Sequence, residues 1–317
     1  MALLIPFTVE SAHQDSTTGL VLYRIRVPVP GTTNAHEGPT IRYLTASNPP
    51  EGASNRIPDD RGRNLSFDTV PTGDWNLGHL VTNSDGTKFV LASTEPSSLD
   101  KSVGLLDAGP TWHDTQFDLI HLLDAFYEQR KLQPDNTNNN NNNNNNNYTN
   151  IQCSGHVNAA VLPSPFNPNH ISAQDKVIGI WAWQPPPTHG IANESHIYSL
   201  LQARDRDPGS VAAARFLGHI TDNGTRVVGF LLEHVVGARS AGPGDVDKCR
   251  DALRRLHAVG VAYGGGLRRE SFLVGTEPEG SVLLQGFGGA FETREEEVFV
   301  AELGGLGGVL AQVEEML

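Results

Sequence analysis

The chain has 317 residues, a formal net charge of −13 and an isoelectric point near 5.3. This length is enough for two domains and a sizeable core, whereas the acidic balance argues against electrostatic binding to nucleic acid or to an anionic membrane, because both need a basic partner. Two cysteines, Cys153 and Cys249, are too few and too far apart for a disulfide framework or a zinc site, which is typical of a reducing compartment. We therefore expect neither nucleic acid nor membrane as a partner.

The N-terminal sequence MALLIPFTV lacks the basic region of a signal peptide and carries a proline at position 6. It is therefore predicted to be a strand and not a targeting segment. No apolar run approaches the ~20 residues that span a bilayer. Together these features predict a cytoplasmic location.

Residues 20–29 have the alternation of side chains that is typical of a half-buried strand. Residues 47–72 predict a long surface loop, and residues 83–86 (NSDG) predict a hairpin turn between two strands. Residues 110–132 predict a helix. The inward row of the strand is Val21, Tyr23, Ile25, Val27 and Val29, and the apolar row of the helix is Leu119, Leu122, Leu123 and Phe126. Residues 1–132 are thus predicted to be a small β-rich module closed by one helix.

Ten consecutive asparagines occupy residues 138–147. A polar homopolymer buries no apolar surface that could offset the entropy of ordering it. Residues 133–150 are therefore predicted to be a disordered linker, and a bland spacer is favoured over a prion-like role.

Short strands and helices are predicted after the linker. Strands are predicted at 157–162 and 176–183, a helix at about 191–203, and a type I′ turn at Asn223-Gly224. A second helix is predicted over about 245–259, ended by Gly260, and a third begins near residue 295. Between these two lie a glycine-rich loop at 263–266 (YGGG) and a strand that ends in LQGFG at 284–288. The apolar stripe of the last helix is Phe299, Leu303, Leu306, Leu310, Val313 and Leu317.

The layout of residues 252–290 resembles the catalytic half of the protein-kinase-like fold, in the compact form of aminoglycoside-phosphotransferase-like proteins. Two upstream segments, GDWN at 73–76 and HDTQFD at 113–118, are similar to segments of a family of fungal proteins, some of which are named α-galactosidase A. The resemblance implies an α+β protein in which the β-rich module precedes a compact two-lobed kinase-like domain. That domain would cover residues 151–317, with a small lobe at 151–235 and a large lobe at 238–317.

The loop Asp, the loop Asn and the DFG Asp that carry phosphoryl transfer in such relatives correspond to other residue types in this sequence. The relatives have a helix that ends in Leu-His, a loop HGD followed by Asn, and a second strand that runs into DFG. The corresponding residues are Leu256-His257, the loop that starts at Tyr263, Gly265 (or Gly266) for the loop Asp, Ser271 for the Asn and Gly286 for the DFG Asp. Glycine supplies no carboxylate to orient a hydroxyl or to hold Mg²⁺. The resemblance therefore implies that the kinase-like scaffold is kept, that phosphoryl transfer is lost and that no metal site remains.

A strand lysine and a helix glutamate clamp the nucleotide phosphates in working kinases. The helix glutamate corresponds to Glu194. The strand lysine corresponds best to Gly179, and Lys176, at an odd offset, is expected on the opposite face of the strand. The hinge corresponds to residues 231–235, where the backbone of Glu233 and Val235 could present groups to adenine. ATP thus stays possible as a ligand, Mg²⁺ is not expected, and no resident cofactor is predicted.

The function that follows is that of a catalytically degenerate kinase-like protein, a pseudokinase that binds or scaffolds an unidentified protein or small-molecule partner. One alternative is an active phosphotransferase that uses displaced carboxylates such as Glu270 or Glu292. Another, from the family name, is a glycosidase, which needs two convergent carboxylates. The candidates for that pair are Asp74, Asp114 and Asp118, for which capping and turn roles are favoured.

Two further sets of residues have competing interpretations. His257, at the end of its helix, is interpreted as a packing or hydrogen-bonding residue in preference to a catalyst. The glycine loop with Arg268 and Arg269 could form a backbone nest for an anion, but the simpler interpretation is that glycines replaced a catalytic aspartate that was no longer required.

Overall fold

The computed structural model describes residues 3–14, 19–28, 40–46, 65, 67–86, 88–96, 109–132, 152–154, 157–163, 165, 176–182, 190–204, 212–275 and 281–311. The chain divides into two compact units, residues 1–105 and 106–317. Both strands and helices occur, with several small sheets and few helices among the described residues. The asparagine run and residues 47–64 of the predicted loop lie outside the described residues, so the predictions for them stay predictions. Within the rest of the loop predicted at 47–72, Thr69–Pro71 form a strand that pairs with Leu4–Pro6, so the prediction is wrong there.

The first unit is built on a five-stranded sheet in the order β2-β3-β4-β6-β7, with β4 and β6 parallel and the other neighbours antiparallel. A separate antiparallel pair joins β1 to β5. The strands are β1 (Leu4–Pro6), β2 (Thr8–Gln14), β3 (Val21–Val27), β4 (Thr40–Ala46), β5 (Thr69–Pro71), β6 (Leu77–Thr82) and β7 (Phe89–Glu95).

The predicted strand and hairpin of this unit both form, but β3 is buried on both faces and not half-buried, because Leu22 and Arg24 are buried as well. Val21, Tyr23, Ile25 and Val27 of β3 are fully buried in its core, and Val29 lies outside the described residues. The turn between β6 and β7 closes with a hydrogen bond from the N–H of Gly86 to the carbonyl of Asn83. Both features follow from local patterns, a period of two for the strand and turn residues for the hairpin.

The second unit begins with a six-stranded sheet in the order β8-β12-β13-β11-β10-β9. Helix α2 follows the third strand of the β9-β10-β11 meander, and β12 and β13 form the predicted hairpin. Asn223 and Gly224 both have positive φ, 52° and 65°, as a type I′ turn requires. The elements are β8 (Gln116–Asp118), α1 (Leu119–Leu132), β9 (Gln152–Ser154), β10 (Val157–Pro163), β11 (Lys176–Ala182), α2 (Ile191–Arg204), β12 (Phe216–Asp222) and β13 (Arg226–Glu233).

The rest of the second unit combines two helices with small sheets. Strands β14, β16 and β17 form one antiparallel sheet, and β15 pairs with β18. A buried core runs without a break from α2 and β13 to α3, β16, β17 and α4. The elements are β14 (Arg239–Ser240), α3 (Val246–Ala258), β15 (Val261–Ala262), β16 (Phe272–Val274), β17 (Val282–Leu284), β18 (Phe291–Glu292) and α4 (Glu296–Ala311).

Helix α1 belongs to the second unit, whereas the sequence predicts that it closes the first. Its apolar row is buried as predicted, but it packs on Leu162, Trp181 and Ile220 of the six-stranded sheet. Strand β8, just before it, pairs in parallel with β12. The division at 105/106 therefore precedes the predicted one at 132/133, because the apolar row specifies that a face is buried and not which sheet covers it.

Asp118 joins β8 and α1 to the β12–β13 hairpin. One carboxylate oxygen accepts the N–H of Ile120 in the first turn of α1, and the other accepts the N–H of Gly224. Burial raises the pKa of Asp118. The carboxylate therefore caps a helix and fastens a turn, which agrees with the favoured capping role.

We expect Asp118→Ala to lower the free energy of unfolding by about 1–3 kcal/mol, because it leaves two backbone N–H groups without their acceptor. Urea denaturation followed by circular dichroism measures this change. Asp114→Ala, at an exposed position four residues earlier, is the control and is expected to change stability by at most about 0.5 kcal/mol. Equal effects of the two substitutions would contradict the capping role.

Candidate functional site

The first turn of α2 lies against the segment that follows β17. The side-chain amide of Asn193 donates towards three carbonyl groups of that segment, those of Phe287, Gly288 and Ala290, at 3.4, 3.1 and 2.8 Å. This segment contains the predicted DFG-like residues 286–288. We call residues 286–290 the glycine turn.

Glu194, the predicted helix glutamate, binds the same glycine turn from the same helix. Its carboxyl group accepts the backbone N–H groups of Gly286 and Phe287, and its Oε1 atom has no partner among the described residues. The side chain is buried, with 7% exposed, and burial raises its pKa to about 7. No positive charge among the described residues contributes to this pKa, so the described part of the chain supplies the buried carboxyl with no cationic partner.

The predicted position of the strand lysine lies on the wrong face of β11 for such a pair. A Cβ atom on Gly179 would lie 2.6 Å from Leu162 Cδ1, on the sheet face that α1 covers. Ile178 and Ile180 instead pack into the core that contains α2. Since faces alternate along a strand, Lys176 shares the α2 face and Gly179 does not, which corrects the predicted register. The described contacts contain no ion pair between Lys176 and Glu194.

Tyr263, at the start of the glycine-rich loop, fixes the glycine turn from the other side. Its hydroxyl oxygen lies 2.7 Å from the carbonyl oxygen of Gln285 and 2.8 Å from that of Gly286. Burial raises the pKa of Tyr263 to about 12, so the hydroxyl stays a neutral donor. Gly286 adopts the left-handed conformation, with φ at 76°, which a residue with a side chain rarely adopts.

None of the three predicted catalytic positions presents an ionisable oxygen. Gly265 is exposed, and Gly286 has its N–H bound to Glu194. Ser271 is buried, and its hydroxyl accepts the N–H of Arg268 at 3.0 Å. Among the described residues no group of three or more His, Cys, Asp or Glu side chains is arranged to hold a metal ion.

His257 has a partner that sequence reasoning did not find. Its Nε2 atom lies 2.8 Å from Oε2 of Glu302 on α4, and its ring stacks on Phe299 at 4.3 Å between centroids. The same carboxylate accepts the N–H of Tyr263 at 3.1 Å and that of Gly264 at 2.6 Å. Glu302 therefore holds the helix end and the loop together, which supports a hydrogen-bonding role for His257.

These contacts also bear on the anion nest. The N–H groups of Tyr263 and Gly264 point to Glu302, and that of Arg268 points to Ser271. The guanidinium of Arg269 donates to the carbonyl of Ala241. Three of the loop amides are thus already bound within the chain, which leaves little of the nest for an anion.

The backbone groups of Glu233 and Val235, the residues predicted for a hinge, are partly used within the chain. The N–H of Glu233 donates to the carbonyl of Arg215 at 2.9 Å, and the carbonyl of Val235 accepts the N–H of Ala238 at 3.3 Å. The side chain of Glu233 is exposed, 3.5 Å from the Arg215 guanidinium. A nucleotide at this hinge would have to use the remaining backbone groups.

The carboxylates considered for the alternative functions either have structural partners or are exposed to solvent. Glu292 is paired with Arg204 and lies 3.6 Å from His196, both on α2, and Arg204 lowers its pKa. Glu270 is exposed. In the first unit Asp74 follows Gly73, whose carbonyl accepts the Arg42 guanidinium. That guanidinium also lies 4.4 Å above the ring of Trp75, so the GDWN segment is held by Arg42.

The first unit contains a hydroxyl, an imidazole and a carboxylate in one hydrogen-bonded row that no sequence motif indicated. The hydroxyl of Thr45 lies 3.3 Å from Nδ1 of His79, and Nε2 of His79 lies 3.0 Å from Glu95. The three residues stand on neighbouring strands, which only strand pairing could have revealed. Thr45 is buried, and its hydroxyl also lies 3.5 Å from the carbonyl oxygen of Gly78 on the neighbouring strand, so the row is interpreted as a cross-strand contact.

An open groove of about 430 Å³ lies along α4. It is largely apolar, and its carboxylate, Glu302, is already bound by three donors. Its lining consists of Gly264, Gly265, Leu267, Phe291, Val298, Ala301, Glu302, Gly305 and Val309.

Within the described residues, no helix combines the length and apolar character needed to cross a membrane.

Comparisons with known proteins give little to add to this geometry. No protein-family model matches the chain, and no curated protein matches it. Among solved structures the chain is similar to a crystal structure of an Stt7 homolog from Micromonas algae soaked with ATP. The identity is 16%, the match covers 45% of this chain and 49% of that one, and the TM-score is 0.32. The chain thus spans about half the length of this structure, and the likeness is too distant to assign a site.

Proposed function

We propose that the second unit is a catalytically degenerate kinase-like module that binds a protein or small-molecule partner and transfers no phosphoryl group. The order of its elements supports this proposal. Helix α2, with its buried glutamate, follows the third strand of a sheet, as the corresponding helix follows the lysine-bearing strand in kinases. Helix α3, the glycine-rich loop, the β16–β17 pair and the glycine turn then follow in the order that the resemblance implies.

One observation carries the proposal: the glycine turn is bound to its own chain where a kinase would hold metal. The N–H groups of Gly286 and Phe287 bind Glu194, and three carbonyl groups of the turn bind Asn193. Phosphoryl transfer needs carboxylate and amide oxygens that hold Mg²⁺ and neutralise charge on the phosphoryl oxygens. The turn offers no side-chain oxygen, and its backbone is already engaged.

We expect ATP to bind weakly or not at all, and Mg²⁺ to change its apparent Kd less than about threefold, because no carboxylate at the turn can hold the metal. Isothermal calorimetry with ATP alone, ATP with Mg²⁺ and Mg²⁺ alone measures this, together with release of inorganic phosphate. Tenfold tighter binding with Mg²⁺, accompanied by turnover, would overturn the proposal in favour of a phosphotransferase.

Two pairs of variants distinguish the alternatives if turnover is found. Loss of Mg²⁺ dependence in Glu270→Gln or Glu292→Gln would identify a displaced carboxylate as the metal ligand. Hydrolysis of a chromogenic α-galactoside that is abolished by Asp74→Asn or Asp114→Asn would instead establish a glycosidase. Asp118→Asn is the less informative variant, since both oxygens of Asp118 already accept backbone N–H groups.

A further inference from the structure

Two neighbouring side chains of α2 hold the glycine turn in chemically different ways. Asn193 donates to carbonyl groups and cannot titrate. Glu194 accepts N–H groups and can exchange a proton. In the contact between α2 and the glycine turn, the interaction of Asn193 therefore does not depend on pH, whereas the interaction of Glu194 depends on its protonation.

The surroundings of Glu194 disfavour the ionised carboxylate. The titratable groups that face it are the hydroxyls of Tyr198, one turn later on α2, and Tyr263, from the glycine-rich loop. Burial raises the pKa of both, so neither is charged near neutral pH. Oε1 of Glu194 and the Tyr198 hydroxyl each lack a partner among the described residues. Two bonds from backbone N–H groups thus offset only part of the cost of burying the charge.

We propose that Glu194 is a proton-operated latch: the protonated carboxyl keeps α2 clamped on the glycine turn, and loss of the proton favours a state in which the two separate and the carboxylate reaches water. This inference goes beyond the proposed function, because it needs neither nucleotide nor partner. Its consequence is that pH regulates the surface formed by α2 and the glycine turn, which a partner would meet.

The direction of the pH dependence follows from which state, closed or open, binds the proton of Glu194 more tightly. In the closed state burial raises the pKa of Glu194 to about 7, whereas in the open state the carboxyl has its ordinary value of 4.5. The closed state therefore loses its advantage as the pH rises from the open value to the closed one, and opening changes little above pH 7. Linkage between these two values predicts that the opening constant rises about fifty- to one-hundredfold between pH 5 and pH 8.

Hydrogen exchange on the full chain tests the latch. Protection factors of the amides at 286–290, corrected for the intrinsic pH dependence of exchange, are measured by mass spectrometry from pH 5 to pH 8. We expect protection to fall by that factor, while amides in the centre of β13, such as Phe230, keep theirs. Because the native protein alone gives this curve, the test does not depend on a variant that folds.

Two variants assign the effect to one carboxyl. Glu194→Gln is expected to give a flat curve, and Glu270→Gln, at an exposed carboxylate on the neighbouring loop, is expected to keep the native curve. A flat curve in the native protein, or the native rise in Glu194→Gln, would overturn the proposal. Either result leaves the ATP measurements untouched, so the two proposals fail independently.

Discussion

Gly264→Ala is expected to lower the free energy of unfolding by about 3–5 kcal/mol. Gly264 has φ at 88°, and a Cβ atom there would lie 2.3 Å from the carbonyl oxygen of Gly289. A left-handed alanine costs about 1 kcal/mol, and the clash with backbone adds more because the loop or the glycine turn must move. Chemical denaturation of the purified variant measures the loss.

The adjacent glycines give a matched control. A Cβ atom on Gly265 or Gly266 meets nothing within 4 Å, and neither has the positive φ of Gly264. Gly265→Ala and Gly266→Ala are therefore expected to change stability by at most about 0.5 kcal/mol. A mild Gly264→Ala, or three equal effects, would show that the loop does not approach the glycine turn as described.

Glu302→Ala is expected to cost about 3–5 kcal/mol, which is the range for removing one member of a buried charged network. The substitution leaves three donors without an acceptor: the N–H groups of Tyr263 and Gly264 and Nε2 of His257. Each unsatisfied buried donor costs about 1–3 kcal/mol, less where water from the groove reaches it. Thermal and urea unfolding of the variant measure the loss.

Glu302→Gln keeps the volume and one acceptor oxygen, so it should fall between the native protein and Glu302→Ala. Glu297→Ala, at an exposed position on the same helix, removes an acidic residue near the helix start and should cost at most about 1 kcal/mol. If Glu302→Ala were as mild as Glu297→Ala, the carboxylate would not be the link between α3, the loop and α4.

Local patterns in the sequence predicted the elements that depend on local interactions. The strand at β3, the turns at 83–86 and 223–224, and the buried apolar row of α1 all occur where they were predicted. The partner of α1 was not predictable in the same way. It depends on pairing between β8 and β12, which joins Phe117 to Ile220, about a hundred residues later.

The candidate site shows the same limit. The sequence itself shows glycine at positions 265 and 286 and serine at position 271, so none of these three positions carries a carboxylate. The contacts that hold the glycine turn and the loop are long-range: Asn193 and Glu194 meet the glycine turn about ninety residues later, and Glu302 meets the loop from α4. One signal was available for Glu302, since it lies within the apolar stripe of α4, between Phe299 and Leu306, where an acidic residue needs a partner.

Gly179, the position predicted for a strand lysine, lies on the face of β11 that α1 covers and not on the face towards α2. Matching by sequence placed the lysine at Gly179, but the face of β11 is set by which residues fill each core. Trp181 and Val177 fill the core under α1, so odd-numbered positions belong to that face. An offset of one residue moves a side chain to the other face of the sheet and so changes which groups it can pair with.

The position of Glu302 has a consequence for biosynthesis. Gly264 leaves the ribosome 38 residues before the carboxylate that accepts its N–H. Until then, water must solvate the amides at 263 and 264. Helix α4 cannot form early by itself, because its four glycines each cost about 1 kcal/mol relative to alanine and an isolated helix of this length is marginal. Completion of the loop is therefore expected to wait for synthesis of α4, so that this helix and the loop become ordered together.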